Sequence, residues 1–384
     1  MSDSLLSGVT VIDLSRVLAG PFATMTLANL GARVIKIEIP GDGDDSRAFG
    51  PFVNGKSLYF SSVNCNKESI ALNLKMDSDR AVFEKLLESA DVLIENYRPG
   101  TMEKLGYGWD VLHQKFPRLI YGAASGFGDN GPYSKRPAYD MVVQGMGGLL
   151  SLTGHPNSPA ARVGISIGDI TAGLYLAIGV NAALYRRTMT QAGSKIDIAM
   201  LDCQVAILEN AIQSYSKTGV IPGPLGTRHP SIAPFELFTA KDGQLVIAAG
   251  NDHLFEALAN ALERPDFLTD QRFKTNEDRY LHIEVLKKEM EQTLKTNTVA
   301  NWLTVLEHAG VPCGPLNDIP HVISDPQVIA RNMIIEVDDP IIGSVKTAGN
   351  PIKVIGQPDD INFRPSPELD ADREAIFKEF IDTK

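Results

Sequence analysis

The chain of 384 residues carries 43% hydrophobic and 22% charged side chains and a formal net charge of −11. Its acidic balance argues against general nucleic-acid binding, which needs a basic face, but leaves an anionic small ligand open to any local basic cluster. The length suffices for a large core and two domains.

Cys65, Cys203 and Cys313 lie far apart with no C-x-x-C pair. That spacing fits a reducing compartment better than a disulfide framework or a zinc site. The first residues, MSDSLLSGVTVIDLS, are short and acidic and pass straight into a strand-like run, unlike a signal peptide. No apolar run approaches the ~20 residues of a membrane span. The expectation is a soluble, cytoplasmic protein without a membrane partner.

In chain order, Val9–Leu14 reads as a strand and Pro21–Leu30 as a helix opened by proline and closed by Gly31. Arg33–Glu38 follows as a second strand, completing a βαβ unit and predicting a parallel sheet. Ser69–Leu74, a helix over Asp77–Ser89, and strands at Val92–Tyr97 and Leu119–Ala124 continue the alternation. The pattern predicts a doubly wound α/β domain. In such sheets ligands bind at the carboxyl ends of strands, which here carry Arg16, Asn96, Tyr97, Arg98 and the Ser125–Gly131 loop.

That loop spells G-x-G-x-x-G from Gly126 to Gly131, but Pro132 and Tyr133 follow and no helix opens there, so it reads as a turn. Arg47, Lys67, Lys75, Arg98, Lys104, Lys135 and Arg136 gather in the same half and suggest a phosphate-bearing ligand.

A long apolar helix follows Asp169, with Ile170, Leu174, Leu176, Ala177, Val180, Ala183 and Leu184 at helical spacing. Asp169 is thereby placed at or near the N-cap, where backbone N–H groups and the helix dipole favour an ionised carboxylate of low pKa. The residues alone leave open whether it is only a cap or a covalent nucleophile. Overlapping it, Gly164–Gly168 matches the G-x-S-x-G elbow of hydrolases, which makes a serine thioesterase using Ser166 the competing reading. The elbow needs a strand directly before it, and Asn157–Arg162 is a poor one.

Lys195–Met200 reads as a strand and Leu201–Lys217 as one helix, before a linker rich in proline and glycine at 218–234. A strand at Leu245–Ala249 and amphipathic helices near 253–262, 282–294 and 299–308 suggest a smaller domain at 225–325. The larger domain then takes 1–224, completed by 326–384, with a strand at Met333–Val337 and a last helix from about Pro367. None of the seven histidines sits in a metal-binding pattern, and His229 reads as a loop residue bonded locally.

Several stretches, in order along nearly the whole chain, resemble the class III (CaiB/BaiF type) CoA-transferase family. They are Val17–Pro21, Leu30–Glu38, Asn64–Lys67, Ala90–Gly100, Gly168-Asp169, Arg228–Pro230 and Gly310–Pro315. The resemblance implies that Asp169 is a nucleophile forming an aspartyl–acyl anhydride and then an aspartyl-CoA thioester, with no permanently bound cofactor and with coenzyme A thioesters as substrates. It also implies an interlocked homodimer with a Rossmann-like large domain and a smaller α/β domain.

By position, Leu18, Leu72, Asn73, Lys75, Asn96, Tyr97, Arg98, Lys104, Arg136, Tyr139, Asp140 and Tyr59 match substrate- or CoA-contacting places, with Arg98 and Lys104 toward phosphates. The family's racemases use a Gly-His-Asp stretch; Ala138-Tyr139-Asp140 lacks the histidine, which disfavours racemisation. Phe49–Pro51, Ala233–Phe235 and Gly250–Asp252 are similar to the members that move CoA from acetyl-CoA to oxalate. Formyl-CoA or succinyl-CoA as donor is the alternative within the family.

Overall fold

The structure is a computed structural model that describes residues 4–382. The chain folds into two compact units, residues 1–150, 162–220 and 326–384 in the first, and 151–161 with 221–325 in the second. The sequence reading leaves 151–161 in the larger domain; these residues pack with the second unit instead.

The first unit is built from β1 (Thr10–Asp13), α1 (Ala19–Asn29), β2 (Arg33–Glu38), α2 (Leu58–Asn64), β3 (Lys67–Ala71), α3 (Asp77–Ser89), β4 (Val92–Glu95) and β5 (Ile120–Ser125). α4 (Asp140–Met146), α5 (Ile167–Thr190), β6 (Lys195–Ala199) and α6 (Met200–Ala206) follow. The six strands form one sheet in the order β3-β2-β1-β4-β5-β6. Every neighbouring pair is parallel, with Val11 opposite Val34 and Val92. This is the 3-2-1-4-5-6 order of the Rossmann fold.

Both faces of the sheet are covered, which is why its strands read as continuous apolar runs. Val11, Val34, Ile94 and Ala124 pack under α1 and α5 on one face, while Ile12, Ile35, Leu93 and Tyr121 meet Phe83 and Leu86 of α3 on the other.

α5 buries Ala172, Gly173, Leu176, Ala177, Val180 and Ala183. A Cβ on Gly173 would lie 2.7 Å from the Ala19 carbonyl oxygen, so glycine is what lets α5 approach α1. At 24 residues, with an 18-residue window of mean hydropathy 1.5, α5 is long and apolar enough to span a membrane by length and composition alone. Half of its most apolar window is buried inside the protein, as in a core helix.

Three further differences concern helices. The single helix read over Leu201–Lys217 is broken, with α6 ending at Ala206 and a second helix at Ala211–Thr218, because Glu209 between them takes φ 54°. α4 carries no apolar period long enough to betray it. The last helix begins at Arg373 rather than near Pro367.

The second unit holds a three-stranded antiparallel sheet of β7 (Phe235–Thr239), β8 (Gln244–Ala248) and β9 (Cys313–Pro315), with β8 central. Its helices include α7 (Asp252–Ala261), α8 (Ile283–Leu294) and α9 (Val299–His308), and their buried faces meet Phe238, Leu245 and Ile247 in one core.

Candidate active site

A cleft of about 170 Å³ opens at the carboxyl ends of β1, β4 and β5, where the strand order reverses. That is the crevice in which open α/β sheets bind their ligands. Its walls are the β1–α1 turn (Arg16 to Ala19), the segment Asn96–Pro99 after β4, Ser125-Gly126 after β5, and the segment Arg136–Tyr139. Asp169 from α5 and Met200 from α6 complete it. Ser166 does not line it.

Asp169 is the third residue of α5, not its N-cap; Ser166 holds that position and makes no side-chain cap bond. The residues before α5 form no strand, so the elbow required for a Ser166 nucleophile is absent. Asp140, the first residue of α4, secures this end of α5. Its Oδ1 accepts the Gly168 N–H at 2.8 Å and its Oδ2 accepts from Gln144 Nε2 at 2.7 Å. A Cβ at Gly168 would fall 2.9 Å from Asp140 Oδ1 and 2.8 Å from Val143 Cγ2, so only glycine lets the two helices meet here.

Asp169 thus sits beside a second carboxylate. Burial, and then the Asp140 charge, push its pKa up to about 7. Among the described residues, no hydrogen bond or cation pulls it back down. The expected low pKa is therefore overturned: burial and the neighbouring carboxylate push it up. The carboxylate is partly desolvated and close to half ionised at neutral pH.

The structure brings Leu18, Asn96, Tyr97, Arg98, Arg136 and Tyr139 together with Asp169 along one cleft. Tyr59 lies just outside the lining, its pKa raised by burial and then by the charges of Asp169, Asp140 and Asp44. Leu72 is buried behind β3, and the Asn73 side chain accepts the Lys75 N–H at 3.1 Å, closing a turn. Lys75 and Lys104 are exposed and do not line the cleft.

Two members of the expected basic cluster are spent inside the protein. Lys67 is fully buried and bonds Asp13, Asn64 and the Pro21 carbonyl, and Arg47 clamps Glu38. Arg16, Arg98 and Arg136 remain on the cleft, Arg16 paired at 2.9 Å with Asp45.

His229 accepts the N–H groups of Ser231 and Ile232 at 3.1 Å and stacks on Phe235, a local loop role. Sequence reasoning gave no site role to Val17, which lines the cleft, to Asp44 or to Lys36, although Val17 and Lys36 fall in the family-like stretches. The last two lie in or after strand runs, and nothing in their spacing marks them.

A family model described as CoA-transferase family III matches residues 6–373. The chain is 47% identical to an acetyl-CoA:oxalate CoA-transferase of Acetobacter aceti, over 97% of this chain and 95% of that one. It is 37% identical to a succinyl-CoA:glutarate CoA-transferase of Homo sapiens, over 91% of this chain and 80% of the relative. A CAIB/BAIF family protein from Brucella suis superposes with a TM-score of 0.87 at 36% identity, covering 99% of this chain and 100% of that one.

Proposed function

This chain belongs to CoA-transferase family III, and from that premise we propose that Asp169 carries its acyl-CoA:carboxylate CoA-transfer as a covalent nucleophile. The observation that carries the reading is a carboxylate of pKa about 7, half-buried and unpaired, in a cleft at the strand ends. Desolvation and an adjacent negative charge make it a stronger nucleophile than a solvated aspartate while leaving about half of it ionised at neutral pH.

An Asp169 oxygen attacks the thioester carbonyl carbon, the tetrahedral oxyanion collapses, and the C–S bond breaks to release CoA thiolate and leave a mixed anhydride. Thiolate then attacks the Asp169 acyl carbon, expels the donor acid and forms the aspartyl-CoA thioester. The acceptor carboxylate attacks this thioester, releasing thiolate and making a new anhydride. Thiolate finally takes the acceptor acyl group and restores Asp169. Each step is an acyl transfer, so the scheme uses no resident metal or redox cofactor.

The substrate pair that fits best is acetyl-CoA with oxalate. Its support is the 47% identity to an acetyl-CoA:oxalate transferase, and a small cleft bordered by Arg16, Arg98 and Arg136 suits a short, doubly charged acid. Succinyl-CoA is the second reading, favoured by relatives that use it with glutarate or mesaconate; formyl-CoA is the third donor to test.

We assign the working form to a homodimer in the cytoplasm. Exposed apolar side chains on α5 (Leu174, Tyr175, Ile178, Tyr185 and Met189) suit a protein partner, and three free cysteines suit a reducing compartment.

The test is a matrix of acetyl-, formyl- and succinyl-CoA against oxalate and longer dicarboxylates, combined with mass spectrometry of the enzyme after mixing with the active donor. A hydroxylamine-sensitive CoA adduct on the peptide containing Asp169 is expected. Transfer surviving in Asp169→Ala, or lost in Ser166→Ala, overturns the reading.

A further inference from the structure

The β1–α1 turn walls the cleft that holds Asp169, and its backbone is held in an unusual way. Val17 has φ 67°, in the left-handed region that a β-branched residue rarely enters. Such a conformation persists only where the surroundings over-determine it.

Here five consecutive backbone groups are bound by side chains. The Ser15 N–H donates to Asp13 Oδ1 at 2.9 Å, and the Ser15 carbonyl accepts from Lys36 Nζ at 2.7 Å. The Arg16 N–H donates to Asn96 Oδ1 at 2.8 Å, and the Arg16 carbonyl accepts from Asn96 Nδ2 at 2.7 Å. The Val17 N–H donates to Asp44 Oδ1 at 3.0 Å. Asp13, Lys36 and Asp44 are buried, and Lys36 lies 2.8 Å from Asp44 Oδ2. Asn96 borders the cleft, yet both ends of its amide are committed to Arg16.

We propose that Asn96 and Asp44 are positioning residues of the transfer reaction, holding the Arg16–Leu18 wall at a fixed place relative to Asp169. Asn96 then acts through the turn, not as a side-chain ligand of the coenzyme. The proposal rests on Asp169 as the reacting group. A wall displaced by about 1 Å misplaces the reacting carbonyl, an error that can lower turnover ~100-fold. Loss of a coenzyme ligand instead raises KM at unchanged kcat.

The experiment measures kcat, KM and CoA affinity by calorimetry for Asn96→Ala, Asn96→Asp and Asp44→Asn, using the donor–acceptor pair found active. Asn96→Ala lowers kcat by roughly 10- to 100-fold while CoA affinity stays within about 3-fold. Asn96→Asp keeps the acceptor for the Arg16 N–H and regains part of that loss. Asp44→Asn keeps the acceptor for the Val17 N–H, loses the charge opposite Lys36, and falls between.

CoA affinity weakened by about tenfold or more with kcat intact, or full turnover in Asn96→Ala, overturns the proposal. Should Asp44→Asn not fold, the Asn96 pair decides alone, since that side chain sits at a partly exposed strand end. Asp169→Ala run alongside separates the two readings: activity there defeats the nucleophile assignment, whereas an inactive Asp169→Ala with unimpaired Asn96 variants defeats only the positioning role.

Discussion

The helices around the cleft and several of those in the second unit, though not α8, begin in opposite ways. In the second unit Asn251 caps α7, accepting the Leu254 N–H at 2.9 Å, and Thr275 forms a capping box with Asp278 at the start of the Asn276–Leu281 helix. Around the cleft, α1, α4, α5 and α6 start at Leu18, Tyr139, Ser166 and Ala199, and none has a side-chain cap.

The interiors differ in the same sense. The second unit's interior is apolar, and among its described residues only Glu236 and Arg279 are buried charges. The first buries Asp13, Lys36, Glu38, Asp44, Lys67, Glu95 and Asp140 at or near its strand ends and the cleft. One region is built largely by local rules, with side-chain caps on most of its helices. The other gives up local satisfaction and regains it through distant side chains, as Asp140 does for Gly168. Sites that do chemistry are where such departures are expected.

The largest test of this contrast is Asp169→Asn, which removes the nucleophile and is expected to lower transfer by at least ~10³-fold in a steady-state assay. Its stability effect has the opposite sign. A carboxyl raised from 3.8 to about 7 holds its proton in the folded state, so it favours folding below pH 4 and loses that contribution as pH rises through 7. Asp169→Asn is therefore as stable as the parent at pH 4 and more stable at pH 8, by an upper estimate on the order of 4 kcal/mol, readable by urea unfolding at the two pH values. The parent's kcat/KM for the donor falls about tenfold per unit below pH 7, and a flat profile from pH 5 to 8 contradicts the assignment.

In the second unit, Arg279 is fully buried. It donates to the Ala233 and Phe273 carbonyls and pairs at 2.6 Å with Asp252. Arg279→Ala leaves the two buried carbonyl acceptors unpaired, at about 1–3 kcal/mol each, measured as a lower unfolding midpoint. The smallest effects form a matched pair: Thr275→Ala loses about 1 kcal/mol with its capping box, whereas Ser166→Ala, at a helix start without a side-chain bond, is neutral in the same assay. Equal losses would erase the distinction between the two regions.

Legibility cut across that divide. Arg33–Glu38, Asp77–Ser89 and Val299–His308 were readable to the residue because period and punctuation agree there. The strand-end location of the cleft was readable too, since the βαβ alternation prescribes it. Lys67 and Arg47 were read as a ligand-facing basic group because a sequence shows charge but not the buried carboxylate opposite it. Asn96 could be placed at the cleft, but not the commitment of its amide to Arg16, which lies 80 positions away.

What the sequence determined by itself is the parallel Rossmann-like sheet and its family, through hydrophobic period and motifs that are local in the chain. What only the tertiary structure decided is the state of the Asp169 carboxylate. Local rules at a helix start predict an acid of low pKa; burial and an aspartate 29 positions earlier make it one of about 7. Electrostatic energy depends on distance and dielectric in space, and neither can be read from separation along the chain.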